Sequence, residues 1–190
     1  MEEIKREVVI DTDYFKKFTE KCPSGELFLR IMDEMNVSPV MHSYVYTEEL
    51  MDNRTAIELV EKNEIKIYNY SNFIDENNIN DYEDKFKRAY KDFNFKEFDR
   101  NIYEYRHDKE SLGEIRSTLM AWYMNINIFM SDDREAELFV TGKLSNHRRK
   151  IIVYNVYDTL KEISLKSTKN IRWSDVKATA KFATYYEPGT

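Results

Sequence analysis

The sequence contains five short runs of mostly apolar residues, and stretches with helical spacing separate them. The runs are Val8–Ile10, Val37–Met41, Ile65–Tyr68, Ile126–Met130 and Ile151–Tyr154. A short continuous apolar run is typical of a strand that is buried on both faces of a sheet. Strands that alternate with helices form a parallel sheet covered by helices on both sides. The pattern therefore predicts an α/β fold, a three-layer α/β/α sandwich around a central, mainly parallel sheet.

Length and composition favour one globular unit. The chain has 190 residues, of which 42% are hydrophobic and 34% charged, so we expect a single domain over residues 1–190 with a substantial core. No apolar run reaches the ~18 residues of a membrane span, and the opening Met1–Arg6 lacks the apolar centre of a signal peptide. The single cysteine, Cys22, cannot form an intramolecular disulfide. These features predict a cytoplasmic protein without a membrane partner.

Two regions extend this alternating pattern. Residues 71–110 are rich in Asn, Asp, Lys, Tyr and Phe and contain no Gly or Pro. Phe86, Tyr90 and Phe93 recur there at helical spacing, which predicts a helical insert. The aromatic residues between Phe86 and Tyr105 have two interpretations, because they either pack a helix or stack on bases. Residues 155–190 carry two further helical patterns and predict a C-terminal helical extension.

Acidic residues stand close to the ends of apolar segments or at the start of a helical pattern. They are Asp11, Asp13, Glu48, Glu49, Glu114, Asp132 and Asp133. Ligands of open parallel sheets bind outside the carboxyl ends of the strands, so we expect these acids to converge there. Converging carboxylates repel one another unless a cation lies among them, and hard oxygen ligands suit Mg²⁺ or Mn²⁺. The placement therefore predicts a metal site and phosphodiester chemistry.

Four segments resemble, in order, the acidic motifs of the PIN domain, the fold of many metal-dependent ribonucleases. They are Val8–Asp13, Tyr46–Leu50, Leu112–Ile115 and Ile128–Arg134. Nineteen residues separate Glu114 from Asp133 (133 minus 114), which fits the helix and strand of the corresponding family unit. The resemblance covers Val8 to Tyr154. It implies a PIN-like fold and an endoribonuclease that hydrolyses RNA phosphodiester bonds.

The resemblance also implies roles for individual side chains. The expected catalytic residues, which would also hold Mg²⁺ or Mn²⁺, are Asp11, Glu49, Glu114 and Asp133. Further candidate metal ligands are Asp13 and Asp132, and the expected supporting residues are Ser131 and Glu48. The family motifs favour Glu49 over Glu48 and Asp133 over Asp132. We expect Ser131 to donate a hydrogen bond to a carboxylate or to support its loop.

RNA contacts are expected at basic side chains. The net charge of −6 disfavours binding by general electrostatics, although bound cations reverse the local sign of an acidic site. The one dense basic cluster lies in the loop Lys143–Lys150, where the candidates are Arg148, Arg149 and Lys150. Arg116 and Arg134 are further candidates for contacts with phosphate.

Two other functions fit part of the sequence. Asp11-Thr12-Asp13 invites comparison with haloacid-dehalogenase-type phosphatases, but that family has Thr or Val where this chain has Phe15, and no use for an acid placed like Glu114. The other alternative is a catalytically silent PIN-like interaction module with residues 71–110 as its docking surface. An antitoxin-like or other protein partner and a homodimer stay open. The three His residues lack zinc-ligand spacing, and four glycines supply no phosphate-binding loop.

Overall fold

The computed structural model describes residues 5–20, 22–107, 110–146, 149–166, 171 and 174. The strands of this part of the chain are β1 (Arg6–Ile10), β2 (Val37–His42), β3 (Lys66–Tyr68), β4 (Ile128–Met130) and β5 (Ile152–Tyr154). They form one sheet in the order β3-β2-β1-β4-β5, and all neighbouring pairs are parallel. The predicted α/β class with a parallel sheet is confirmed.

Helices connect and cover the strands. They are α1 (Thr12–Thr19), α2 (Glu26–Glu34), α3 (Arg54–Glu61), α4 (Ile79–Asn94), α5 (Leu112–Tyr123), α6 (Arg134–Phe139) and α7 (Val156–Lys166). Val45–Glu49 and Val140–Leu144 form π-helical turns, and Tyr70–Asn72 forms a short 3-10 helix. Among the described residues, we find no helix whose length and apolar character would let it cross a membrane.

The side chains of β1 alternate between two hydrophobic cores. Val8 and Ile10 pack with residues of α1, α2, α3 and α7. Val9 points to the other face and packs with residues of α4, α5 and α6. Because successive side chains of a strand point to opposite faces, this alternation places one layer of helices on each side of the sheet.

The strand order reverses its direction between β1 and β4. From β1 the chain builds outward to β2 and β3, then crosses back through α4 and α5 to add β4 and β5 on the other side. In open α/β sheets such a switch point leaves a crevice at the carboxyl ends of the two strands. Asp11 follows β1 and Ser131 follows β4, so the acidic residues of both segments are delivered to this crevice.

Residues 71–110 are helical only in part. The helix α4 is 16 residues long, whereas residues 95–107 form turns and irregular chain. Glu110 holds this segment, because its carboxylate accepts hydrogen bonds from the Tyr90 hydroxyl at 2.5 Å and the Tyr105 hydroxyl at 2.9 Å. Phe86 and Tyr90 are buried in the core below, so the packing interpretation is confirmed for these two rings.

The C-terminal region is described only at its beginning. The first of its two predicted helical patterns forms α7, which packs against the α1 side of the sheet through Val156, Leu160 and Ile163. The second pattern lies outside the described residues.

Candidate functional site

Asp11 and Ser131 lie side by side at the carboxyl edge of the sheet. Their backbones continue the strand pairing, since the Asp11 N–H donates to the Met130 carbonyl at 3.0 Å and the Ser131 N–H donates to the Tyr154 carbonyl at 3.1 Å. The Ser131 hydroxyl donates to Asp11 Oδ2 at 2.9 Å. The predicted hydrogen bond from Ser131 to a carboxylate is thereby confirmed.

The Asp11 carboxylate is buried without full compensation. Asp11 is only 1% exposed, and its Oδ1 atom has no hydrogen-bond partner among the described residues. Burial raises the pKa of Asp11 well above its usual value, and the charges of Glu114 and Glu49 raise it further. A buried polar atom without a partner is unfavourable, so this oxygen is the atom of the site that most requires a ligand.

Glu49 approaches Asp11 from a π-helical turn. The Leu50 N–H donates to the Val45 carbonyl at 3.0 Å, which closes the wide turn, and such turns are frequent at functional sites. The Thr12 hydroxyl donates to Glu49 Oε2. On the other side the carboxylate lies against Gly113, where an added Cβ would be 2.7 Å from Glu49 Cδ and 2.8 Å from Oε2. Burial is the main cause that raises the pKa of Glu49.

Glu114 stands in the first turn of α5 and completes a group of three acids, of which Asp11 is buried and Glu49 and Glu114 are half-buried. Burial raises the pKa of Glu114 to about 7, against 4.5 for a free glutamate, and the charges of Glu49, Asp133 and Asp13 act in the same direction. A helix N-terminus favours negative charge, but here its effect is smaller than that of burial. The predicted convergence of Asp11, Glu49 and Glu114 therefore agrees with the structure.

The two adjacent acids after β4 have different environments. Asp133 caps α6 by accepting the Ala136 N–H at 2.9 Å, and its charge reaches Glu114. Asp132 is buried, forms a salt bridge with Lys17, and accepts the Val156 N–H at 3.1 Å. Because these contacts hold the Asp132 carboxylate at α1 and α7, we revise the expectation that it is a metal ligand and leave it out of the site.

A cleft of about 450 Å³ opens beside these acids. Its walls include Thr12, Asp13, Lys16, Glu48, Glu49 and Glu114. Asp13 is exposed at the start of α1, and Glu48 is held at the rim by a salt bridge to Arg106 at 3.1 Å. Both residues therefore contribute charge to the cleft from its outer part, whereas Glu49 and Glu114 lie deeper.

The donor atoms of the site have the chemistry that a hard divalent cation requires. Asp11, Glu49 and Glu114 offer carboxylate oxygens, which suit Mg²⁺ or Mn²⁺, and Asp11 Oδ1 is unpartnered. As the side chains stand, no group of three or more His, Cys, Asp or Glu residues in the described part of the chain is arranged to hold a metal ion. The Glu49 carboxylate is the end of a flexible side chain, so its rotation would change the arrangement without moving the backbone.

The basic loop lies at the other edge of the sheet. Lys150 precedes β5, and in a parallel sheet the starts of the strands lie opposite the edge that carries Asp11. The Arg149 guanidinium stacks on Trp122 at 4.7 Å from the ring centroid. Trp122 lies eight residues after Glu114 (122 minus 114), which is about 12 Å along α5. The structure does not bring Arg149 or Lys150 to the carboxylates, and Arg148 lies outside the described residues.

The other two predicted RNA contacts also differ from each other. Arg134 is exposed at the start of α6, directly after Asp133. Arg116 is 0% exposed, donates to the carbonyls of Ile102 and Tyr105 at 2.8 Å each, and stacks on Tyr44 at 4.0 Å. The expectation that Arg116 contacts RNA is therefore corrected, because its guanidinium is enclosed by the core.

Residues that the sequence did not single out also form the site. Thr12 and Gly113 set the position of Glu49, while Lys16 lines the cleft and Arg106 borders it through Glu48. The Gly-Glu pair at 113 and 114 was a visible signal for Gly113. The pairing of Arg106 with Glu48, which joins residues 58 positions apart (106 minus 48), had no local signal.

Comparisons of this chain with protein-family models, with curated proteins and with solved structures found no match.

Proposed function

We propose that this chain is a PIN-like, metal-dependent endoribonuclease. The observation that carries the proposal is the convergence of Asp11, Glu49 and Glu114 at the switch point of the sheet, with Asp11 Oδ1 buried and unpartnered. Mutual repulsion and burial make this group unfavourable for the protein alone. A divalent cation would relieve both, and an open cleft of about 450 Å³ gives a phosphodiester access to it.

The site residues have distinct tasks in this proposal. Asp11, Glu49, Glu114 and Asp133 would hold Mg²⁺ or Mn²⁺, which supplies a water of lowered pKa and polarises the scissile phosphate. Ser131 fixes the orientation of Asp11 through Oδ2 and leaves Oδ1 for the ion. Two neighbouring features position Glu49, namely the Thr12 hydroxyl and the small Gly113 beside it, while the exposed Asp13 adds negative charge at the entrance.

Metal binding is tested by thermal unfolding with and without Mn²⁺. A ligand that binds only the folded state at a hundredfold excess over its Kd stabilises it by about 2.7 kcal/mol, so Mn²⁺ raises the Tm of the wild type. Asp11→Asn removes most of that rise without lowering the Tm in EDTA, because it also removes a buried charge. Asp52→Asn, at an exposed aspartate, is the matched control and keeps the full rise. Equal rises for Asp11→Asn and Asp52→Asn contradict the metal site.

Catalysis is tested with the same variants. Wild-type protein with Mn²⁺ cleaves single-stranded RNA, EDTA stops the reaction, and Asp11→Asn, Glu114→Gln and Asp133→Asn each lose nearly all activity. Activity that persists in EDTA or in Asp11→Asn contradicts the mechanism. Hydrolysis of small phosphomonoesters in place of RNA supports the phosphatase alternative.

An interaction module without catalysis is the second candidate. The described side chains, as they stand, include no group arranged to hold a metal ion, and this candidate requires none. It predicts no Mn²⁺-dependent rise of Tm and no RNA cleavage. The two functions are therefore separated by the thermal experiment before any substrate is chosen.

A further inference from the structure

Lys16 is a cation that lines an acidic cleft and yet forms no salt bridge within the part of the chain that the structure describes. It lies on α1, one turn after Asp13, and it is half-buried. Its charge reaches Glu49, whose pKa it lowers. An ammonium group beside several carboxylates normally pairs with one of them. Because Lys16 does not do so within the described residues, its ammonium group is able to bind another anion.

Arg106 brings a second cation to the same cleft from the segment that follows α4. Its Nε pairs with Glu48 at 3.1 Å, and Nη1 donates to the carbonyls of Tyr103 and Tyr105 at 2.9 and 3.3 Å. The guanidinium also lies over the Tyr44 ring, at 5.6 Å from its centroid. The guanidinium is therefore a planar donor that is held in place beside the cleft.

We propose that Lys16 and Arg106 bind phosphates of the RNA backbone at the rim of the acidic cleft. This inference rests on the proposed function and names the part of the protein that holds its substrate. An acidic protein with a net charge of −6 needs local cations to bring a polyanion to carboxylates. Lys16 and Arg106 lie at the carboxylate edge of the sheet, whereas Arg149 and Lys150 lie at the opposite edge.

The existing pair of Arg106 with Glu48 does not prevent this role. The side chains are 45% and 33% exposed, and exposed ion pairs contribute only ~0–1 kcal/mol. A phosphate can therefore replace Glu48 as the partner of Nε while the carbonyls of Tyr103 and Tyr105 continue to hold Nη1. The same geometry predicts that removal of the Glu48 charge favours RNA binding, because Arg106 then has no competing anion.

The test measures binding of a short, unstructured, fluorescently labelled RNA by anisotropy, with Asp11→Asn as the uncleaving background and KCl from 50 to 200 mM. For single-stranded nucleic acid, each phosphate contact contributes about −0.7 to the slope of log affinity against log salt. The variant Lys16→Met/Arg106→Met keeps much of the apolar stems, and its slope is flatter by about 1.4. Glu48→Gln binds RNA more tightly than the background, and Lys150→Met, at the opposite edge, has the background slope.

The outcomes separate this proposal from the proposed function. The flattened slope, together with a Mn²⁺-dependent rise of Tm that persists in Lys16→Met/Arg106→Met made without Asp11→Asn, supports the proposed phosphate contacts. An unchanged slope in that double variant overturns the proposed phosphate contacts of Lys16 and Arg106 and leaves the proposed metal site unaffected. If Lys150→Met flattens the slope instead, that result also overturns the proposed contacts and indicates that RNA binds at the loop that contains Lys150. Loss of the Mn²⁺ effect in the wild type contradicts the proposed function itself.

Discussion

Replacement of Glu114 by Gln is expected to stabilise the protein, and to do so more at pH 8 than at pH 5.5. The pKa of Glu114 is about 7 in the folded protein and 4.5 for a free glutamate. A carboxyl group whose pKa is raised on folding destabilises the folded state fully above the folded pKa, and the effect fades as the pH falls toward the unfolded pKa. At about 1.4 kcal/mol per pKa unit, the penalty is about 3 kcal/mol at pH 8 and about 1 kcal/mol at pH 5.5.

Another buried group titrates in the same window with the opposite sign. Burial lowers the pKa of His42 to about 3, so the folded protein loses stability as the pH falls below the pKa of a free histidine, 6.5. The pH dependence of the wild type therefore mixes both effects. We compare wild type and Glu114→Gln at each pH, because His42 contributes equally to the two proteins and cancels in the difference.

The assay is urea unfolding in EDTA at pH 5.5 and 8.0. The gain in unfolding free energy from Glu114→Gln is larger at pH 8.0 by about 2 kcal/mol, from the same two pKa values. Glu135→Gln is the matched control, since Glu135 also stands in the first turn of a helix but is exposed; its effect stays within about 0.5 kcal/mol at both pH values. An equal gain at the two pH values, or a loss at both, refutes the reasoning.

Two further substitutions probe the surroundings of the acids. Gly113→Ala places a Cβ against the Glu49 carboxylate, and because alanine is the better helix residue by about 0.5–1 kcal/mol, unfolding in EDTA shows equal or higher stability while the Mn²⁺-dependent rise of Tm falls. A normal Mn²⁺-dependent rise of Tm in this variant contradicts the role of Gly113 in positioning Glu49. Arg116→Met leaves the carbonyls of Ile102 and Tyr105 without their donor and lowers the unfolding free energy by about 2–4 kcal/mol at ~1–2 per carbonyl. If the variant is as stable in urea as the wild type, the hydrogen bonds of the Arg116 guanidinium only balance the cost of removing its charge from water.

The strands and the meeting of the acids were predictable because both depend on local patterns. A buried parallel strand requires a continuous apolar run, and an acid directly after such a run lies at the carboxyl edge whatever the rest of the chain does. Asp11 and Ser131 are positioned in this way. Glu114 was predictable for a similar reason, since an early-helix acid is held at the end of α5 that reaches this edge.

Other features depend on contacts between distant segments. Arg116 has the sequence context of a solvent-facing arginine, but α5 is buried on nearly its whole circumference, from Leu112 to Ala121, so its one arginine is enclosed. The direction of Asp132 follows from Lys17, a partner 115 residues away. The prediction that the loop at Arg149 contacts RNA rests on charge density alone, which carries no information about the edge of the sheet on which the loop lies.

The energetics of the acids bear on the choice between an enzyme and an interaction module. Burial of Asp11 and Glu114 destabilises the folded protein at neutral pH, as the raised pKa values show, and amides of nearly the same shape would avoid this penalty. A docking surface gains nothing from carboxylates that lie beneath it. An active site requires them, since stability is commonly reduced where catalysis needs charge. A stabilising Glu114→Gln that abolishes RNA cleavage is therefore the result that distinguishes the enzyme, whereas a module predicts the same stabilisation with no activity to lose.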